Sequence, residues 1–111
     1  MTAFRLDVLS AIAPGTATPV TANFTGPSLS LPINGGASLY VVGGLGGGTL
    51  TLQVSPDGTN FYATTMTITG TTGFVTTPAG GLWAPYWRVV LTGATSATIT
   101  AITMVFTENN I

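Results

Sequence analysis

Five side chains carry charge in this sequence, Arg5, Asp7, Asp57, Arg88 and Glu108, and any acid–base, ion-pairing or metal chemistry must be built from them. A glycosidase needs two carboxyl groups facing each other across a cleft, and nothing in the spacing of positions 7, 57 and 108 arranges that. The chain has no His, Lys or Cys. That composition removes the tetrahedral N/S zinc site, the His-assisted Ser or Cys nucleophile and a disulfide framework. The expectation is a protein that is not an enzyme and uses no metal and no cofactor.

Two short stretches invite a ligand nonetheless. In "SPDG" (55–58), Asp57 could hold a cation, but a calcium loop takes several oxygen ligands at spaced positions, and only Ser55 and Asn60 stand near enough to join it. Turn chemistry accounts for each residue: Pro56 presets φ for the second turn position, Asp57 suits the third, and Gly58 accepts the left-handed conformation that closes a hairpin. "GGLGGGT" (43–49) has glycine amides that could cradle an anion. It lacks the Lys-Ser or Lys-Thr of a phosphate loop, and "TLTLQV" runs on as a strand where a helix is needed. A strand crossing, or a place where another chain approaches closely, is the expectation there. The sequon "NFT" (23–25) is read as a chance match.

The most informative cluster is "LWAPYWRVV" (82–90). Trp83, Tyr86, Trp87 and Arg88 are residue types enriched at interface hot spots and sugar-stacking faces. Trp87 is expected in the core of its strand. Trp83 and Tyr86 flank Pro85 in an expected loop, where an apolar ring calls for a covering surface. Arg88 is expected to form a structural pair with Asp7, Asp57 or Glu108.

The elements that must position these residues are strands. "FRLDVLS" (4–10), "SLSLPI" (28–33) and "TLTLQV" (49–54) alternate with a period of two, with Pro32 pushing the second toward an edge or bulge. "ASLYVVG" (37–43) is a continuous apolar run, read as buried on both faces. "FYATTMTIT" (61–69), "GFVTT" (73–77), "YWRVVLT" (86–92) and "ATITAITMVFTE" (97–108) complete the set. The strands at 86–92 and 97–108, apolar on both faces, belong in central positions or at a subunit contact. No segment has helical spacing. About eight short strands in 111 residues predict one all-β domain over 1–111, a jelly-roll-like antiparallel β-sandwich. Residues 9–27, with Pro14, Pro19 and Pro27, are either an extended arm laid on a neighbouring subunit or a long connection on the same domain.

Charged residues make up 5 % of the chain against a usual quarter or so, and the net charge is -1. Two arginines cannot neutralise a run of phosphates or an acidic bilayer, so neither nucleic acid nor membrane is the expected partner. Every apolar run is cut before the roughly 18 residues of a spanning helix, the strands are short for a membrane barrel, and residues 1–20 show no secretory signal pattern. A mean hydropathy of +0.55 with so few charges predicts that part of the surface is covered in an assembly.

"LTLQVSPDGTNFYATTMTI", "YWRVVLTG" and the closing "ATITAITMVF" together resemble small β-sandwich proteins of tailed bacteriophages, the capsid decoration or cement proteins. The resemblance covers roughly residues 48 to 107. It implies a jelly roll sitting on the outer surface of the virion, bound to the major capsid protein, often as a homotrimer, clamping neighbouring shell subunits with the sandwich and an N-terminal arm. Under that reading the candidate contacts are Trp83, Tyr86, Trp87, Arg88, Pro14 and Pro19. The chain has no basic patch or distinctive arm motif to match. Two other readings stay open: a carbohydrate- or receptor-binding sandwich with Trp83, Tyr86 and Trp87 as a stacking platform, and a head-fibre or tail subunit that assembles on itself.

Overall fold

The computed structural model describes residues 3–7, 23–30, 33–71, 73–77 and 81–107. Among them the structure is all strand and loop: β1 (Ala3–Asp7), β2 (Phe24–Thr25), β3 (Ile33–Gly35), β4 (Ala37–Gly44), β5 (Thr49–Ser55), β6 (Tyr62–Thr69), β7 (Gly73–Thr76), β8 (Leu82–Ala84), β9 (Tyr86–Thr92) and β10 (Thr98–Thr107). Two four-stranded antiparallel sheets have the orders β1-β10-β4-β7 and β2-β9-β5-β6, and β3 and β8 form a separate ribbon. With the ribbon set aside, the first strand pairs with the last, the second with the second-last, and so inward to the β5–β6 hairpin. This is a long hairpin wound over two sheets, a jelly roll.

The period-two pattern decides which sides meet. Leu39 and Val41 of β4, Ile102 and Met104 of β10, Leu50 and Leu52 of β5, and Trp87, Val89 and Leu91 of β9 are all buried between the sheets. As the sequence predicts, β9 and β10 are central strands. Leu45, in the loop after β4, is also buried and closes one end of the core. Its N–H donates to the Gly70 carbonyl at 3.0 Å.

The glycine-rich loop is explained by this closure. Cβ atoms placed on Gly46 and Gly48 would stand 2.6 Å from Ala97 N and 2.7 Å from the Thr92 carbonyl oxygen. The close approach at these glycines is therefore made by the chain itself, at the end of β9 and in the loop between β9 and β10. Asn23 ties the same loop to the start of β2: its Oδ1 accepts from Ala94 N at 2.8 Å and its Nδ2 donates to the Ala94 carbonyl. The sequon asparagine has a structural role.

Two expectations are revised. "SLSLPI" does not form one strand: Ser28 and Ser30 lie outside any strand, Leu29 makes an isolated bridge to Trp87 with backbone hydrogen bonds of 2.9 and 3.1 Å, and Ile33 belongs to β3, which pairs with β8 instead. "ASLYVVG" is not buried on both faces: Ala37, Leu39 and Val41 are buried while Tyr40 and Val42 are exposed. Residues 8–22, with Pro14 and Pro19, lie outside the described residues. Positions 23–27 of that segment stay on the domain, β2 pairing with β9 and Gly26 N donating to the Val89 carbonyl at 2.8 Å.

Candidate interaction surfaces

The outer faces of the two sheets differ in kind. On the sheet containing β9, the register aligns Thr69, Thr49 and Thr92 in one row and Thr67, Thr51, Val90 and Thr25 in the next. β-Branched hydroxyl residues suit an exposed pleated surface and pair across strands. The result is a hydroxyl-rich face, on which Arg88 of β9 supplies the one charged side chain among the described strand residues.

The outer face of the other sheet carries an apolar patch. Tyr40 of β4 stands opposite Phe74 of β7 on one side and Thr103 of β10 on the other, and Val42 stands opposite Ala101. Tyr40 and Phe74 stack with centroids 5.2 Å apart and planes at 19°. Phe74 is 61 % exposed and Val42 48 %. Stacking of this kind is worth about 0.5–1.5 kcal/mol beyond area burial, yet it leaves most of the Phe74 ring in water. At the edge of the sheet, β1 brings Arg5 opposite Val105 and Asp7 opposite Thr103.

The aromatic cluster read from the sequence does not form one platform. Trp87 is fully buried in the core, as expected of it, and its ring is therefore unavailable to a partner. Trp83 lies in strand β8, not in a loop, opposite Asn34 on the ribbon. It is 65 % exposed, with its ring over Gly81, where an added Cβ would come within 2.9 Å of Cη2. Tyr86 opens β9, half-buried, with its ring against Gly58 of the hairpin loop. A glycan-stacking surface of Trp83, Tyr86 and Trp87 is not available from these positions.

Arg88 has none of the carboxylate partners expected of it among the described residues. Its Nε donates to Gln53 Oε1 at 2.8 Å, the residue opposite it on β5, and its guanidinium carbon sits 4.1 Å from the centre of the Phe61 ring. Gln53 and Phe61 carry no motif; the pairing of β5 with β9 makes Gln53 a neighbour of Arg88, and the β5–β6 hairpin brings Phe61, the residue before β6, beside them.

Asp57 is spent inside its own loop. Oδ1 accepts from Ser55 Oγ, Thr59 N and Asn60 N, each at 2.9 Å, and Oδ2 accepts from Asn60 Nδ2 at 2.9 Å. Ser55 Oγ accepts in turn from Asp57 N and Gly58 N, and Gly58 has φ of +80°. Ser55 and Asn60 do gather round Asp57, but as hydrogen-bond donors that already occupy its oxygens. The backbone N–H of Asn60, then that of Thr59, then the side chains of Asn60 and Ser55 hold the Asp57 carboxyl well below the usual carboxylate range. Because the folded-state pKa is depressed, the stabilisation is fully present above the unfolded value of about 4 and is lost as pH falls below it. Asp57→Asn is expected to melt below wild type at neutral pH, with the gap closing on acidification below about pH 4. Thermal melts of both proteins across that range check it, and a gap that does not change with pH would contradict it.

A second device protects a strand edge. β6 is an edge strand without charge or proline, a natural template for pairing with another chain. Its register with β5 is broken between the Thr51 and Gln53 pairs. There Thr64 Oγ1 donates to the Leu52 carbonyl at 2.8 Å and accepts from Met66 N. The bulge interrupts the flat ladder that such pairing requires.

Comparison with protein families, with curated proteins and with solved structures returns no match, so the functional reading rests on the residues themselves.

Proposed function

We propose that this protein is a structural, non-catalytic subunit that docks one sheet face of its jelly roll on a protein lattice. The lattice proposed is the head shell of a tailed bacteriophage, the partner its major capsid protein, and the role that of a decoration or cement protein on the virion surface. The observation that carries the reading is the apolar patch on the outer face of the β4 sheet, where Tyr40, Val42 and Phe74 stand exposed side by side. A stacked aromatic pair beside an aliphatic residue, in a chain nearly free of charge, is the composition of an interface centre. The choice of a phage shell comes from the resemblance of the β5–β6 hairpin and the β9 and β10 sequences.

Mechanistically, docking would remove apolar surface from water at roughly 25 cal/mol per Å². A single such contact is modest. Repeated by each member of an oligomer, it gains effective concentration and holds neighbouring shell subunits together. The threonine-rich face of the other sheet would then turn outward.

Light scattering on the purified protein, alone and after mixing with shells that lack it, tests the proposal. The expected result is an oligomer, a trimer of about three times the 11.2 kDa chain, that sediments with the shells. A monomer that stays in the supernatant would overturn it.

A further inference from the structure

We infer that Arg88 is a recognition point for a carboxylate side chain, Asp or Glu, of a partner protein. This second contact lies on the sheet opposite the apolar docking face. It goes beyond the capsid reading and does not depend on it.

Two intrachain contacts fix the guanidinium without neutralising it. Gln53 Oε1 takes the Nε–H at 2.8 Å, which sets the rotation of the fork. The guanidinium carbon lies over the Phe61 ring, 4.1 Å from its centre, and is held there by a cation–π contact. Neither contact brings a negative charge, and both Nη groups are without an acceptor among the described residues. Among the described residues neither acid supplies one there. Asp57 is saturated by its own loop, and Asp7 belongs to β1 at the edge of the other sheet.

A half-buried guanidinium whose orientation is already set loses little freedom when it binds, and its two Nη groups match the two oxygens of a carboxylate. The surroundings choose the partner class. Threonines and one lone cation on a net-negative chain cannot follow a phosphate backbone. A single acidic side chain, presented by a protein surface, satisfies the one charge that the face carries.

The test is a titration of the full-length protein with hexaglutamate, followed by NMR at the Arg88 Nε–H. The expected result is a saturable shift that hexaglutamine does not produce. Phe61→Leu is expected to weaken the response about fivefold or more by releasing the fork, with an unchanged fold confirmed from the remaining amide signals. Arg88→Gln is expected to abolish the shifts of neighbouring Gln53 and Phe61. No saturable shift, an equal response to hexaglutamine, or an equal response to a thymidine oligonucleotide would overturn the inference. So would a change of the Arg88 signal caused by Glu108→Gln without peptide, because the chain's own acid would then fill the fork. Since no shell is used, failure here leaves the capsid reading intact, and failure to bind shells leaves this site intact.

Discussion

Gly43→Ala is expected to cost at least about 3 kcal/mol, enough to unfold much of the population of a marginally stable domain. Two costs fall on one position. Gly43 has φ of +113°, a conformation that an L side chain rarely adopts. A Cβ there would drive into the Thr98 carbonyl oxygen and stand 2.9 Å from Ile99 Cα. Both belong to the backbone of β10, directly across the pair Ile99–Gly43, so no rotamer change relieves the clash. The strands would have to part next to the bulge between Ile99 and Ala101. Gly47 is the control, with φ of +80° and no atom within 4 Å of an added Cβ. Gly47→Ala bears the backbone strain alone and is expected to cost about 1 kcal/mol. Urea unfolding of the two variants checks the difference, and similar midpoints would contradict the packing account.

Trp87→Ala is expected to cost about 3–5 kcal/mol and to lower the Tm by roughly 10–20 °C. The ring is wholly buried on the inner face of a central strand. The same residue anchors positions 28–30 through its backbone bridge to Leu29. Removing the ring opens a cavity that neighbours on two sheets can only partly refill. Trp83→Ala, at an exposed position, is expected to stay within about 0.5 kcal/mol of wild type. Thermal melts of both variants decide it. A large loss at Trp83 and a small one at Trp87 would reverse the assignment of core and surface.

The legible part of this fold was the part written in period two. Alternation in "TLTLQV" marks the buried Leu50 and Leu52, and the doubly apolar "YWRVVLT" and "ATITAITMVFTE" lie at the centres of their sheets. The "SPDG" turn was also legible, because Pro56, Asp57 and Gly58 each have a local backbone reason to be there. What could not be read were facts of pairing. A continuous apolar run such as "ASLYVVG" looks alike whether its second face is covered by another sheet or left bare. Only the sheet order, with β4 between β10 and β7, leaves Tyr40 uncovered and sets Phe74 beside it. The sequence pointed instead to the aromatics of "LWAPYWRVV", where residue type is conspicuous, but chain geometry sends Trp87 inward and Trp83 onto a separate ribbon. Arg88 was expected beside an acid because charge suggests charge, and strand register gave it Gln53 and the β5–β6 hairpin Phe61.

The two sheet faces imply a division of labour that explains the low charge. Threonine rows keep one face wetted with Arg88 as the single charged side chain among its described strands, while the other face carries exposed aromatic and aliphatic side chains that would be poor choices for a permanently bare surface. Under the proposed function this second face is the one covered in the assembled particle. Hydroxyl-radical footprinting of the free and the shell-bound protein measures it most directly, because exposed aromatic rings report their own burial. Tyr40 and Phe74 are expected to lose most of their labelling on the shell, while Tyr62, exposed on β6, keeps its own. Unchanged labelling of Tyr40 and Phe74 in particles that retain the protein would contradict the claim and place the contact elsewhere on the domain.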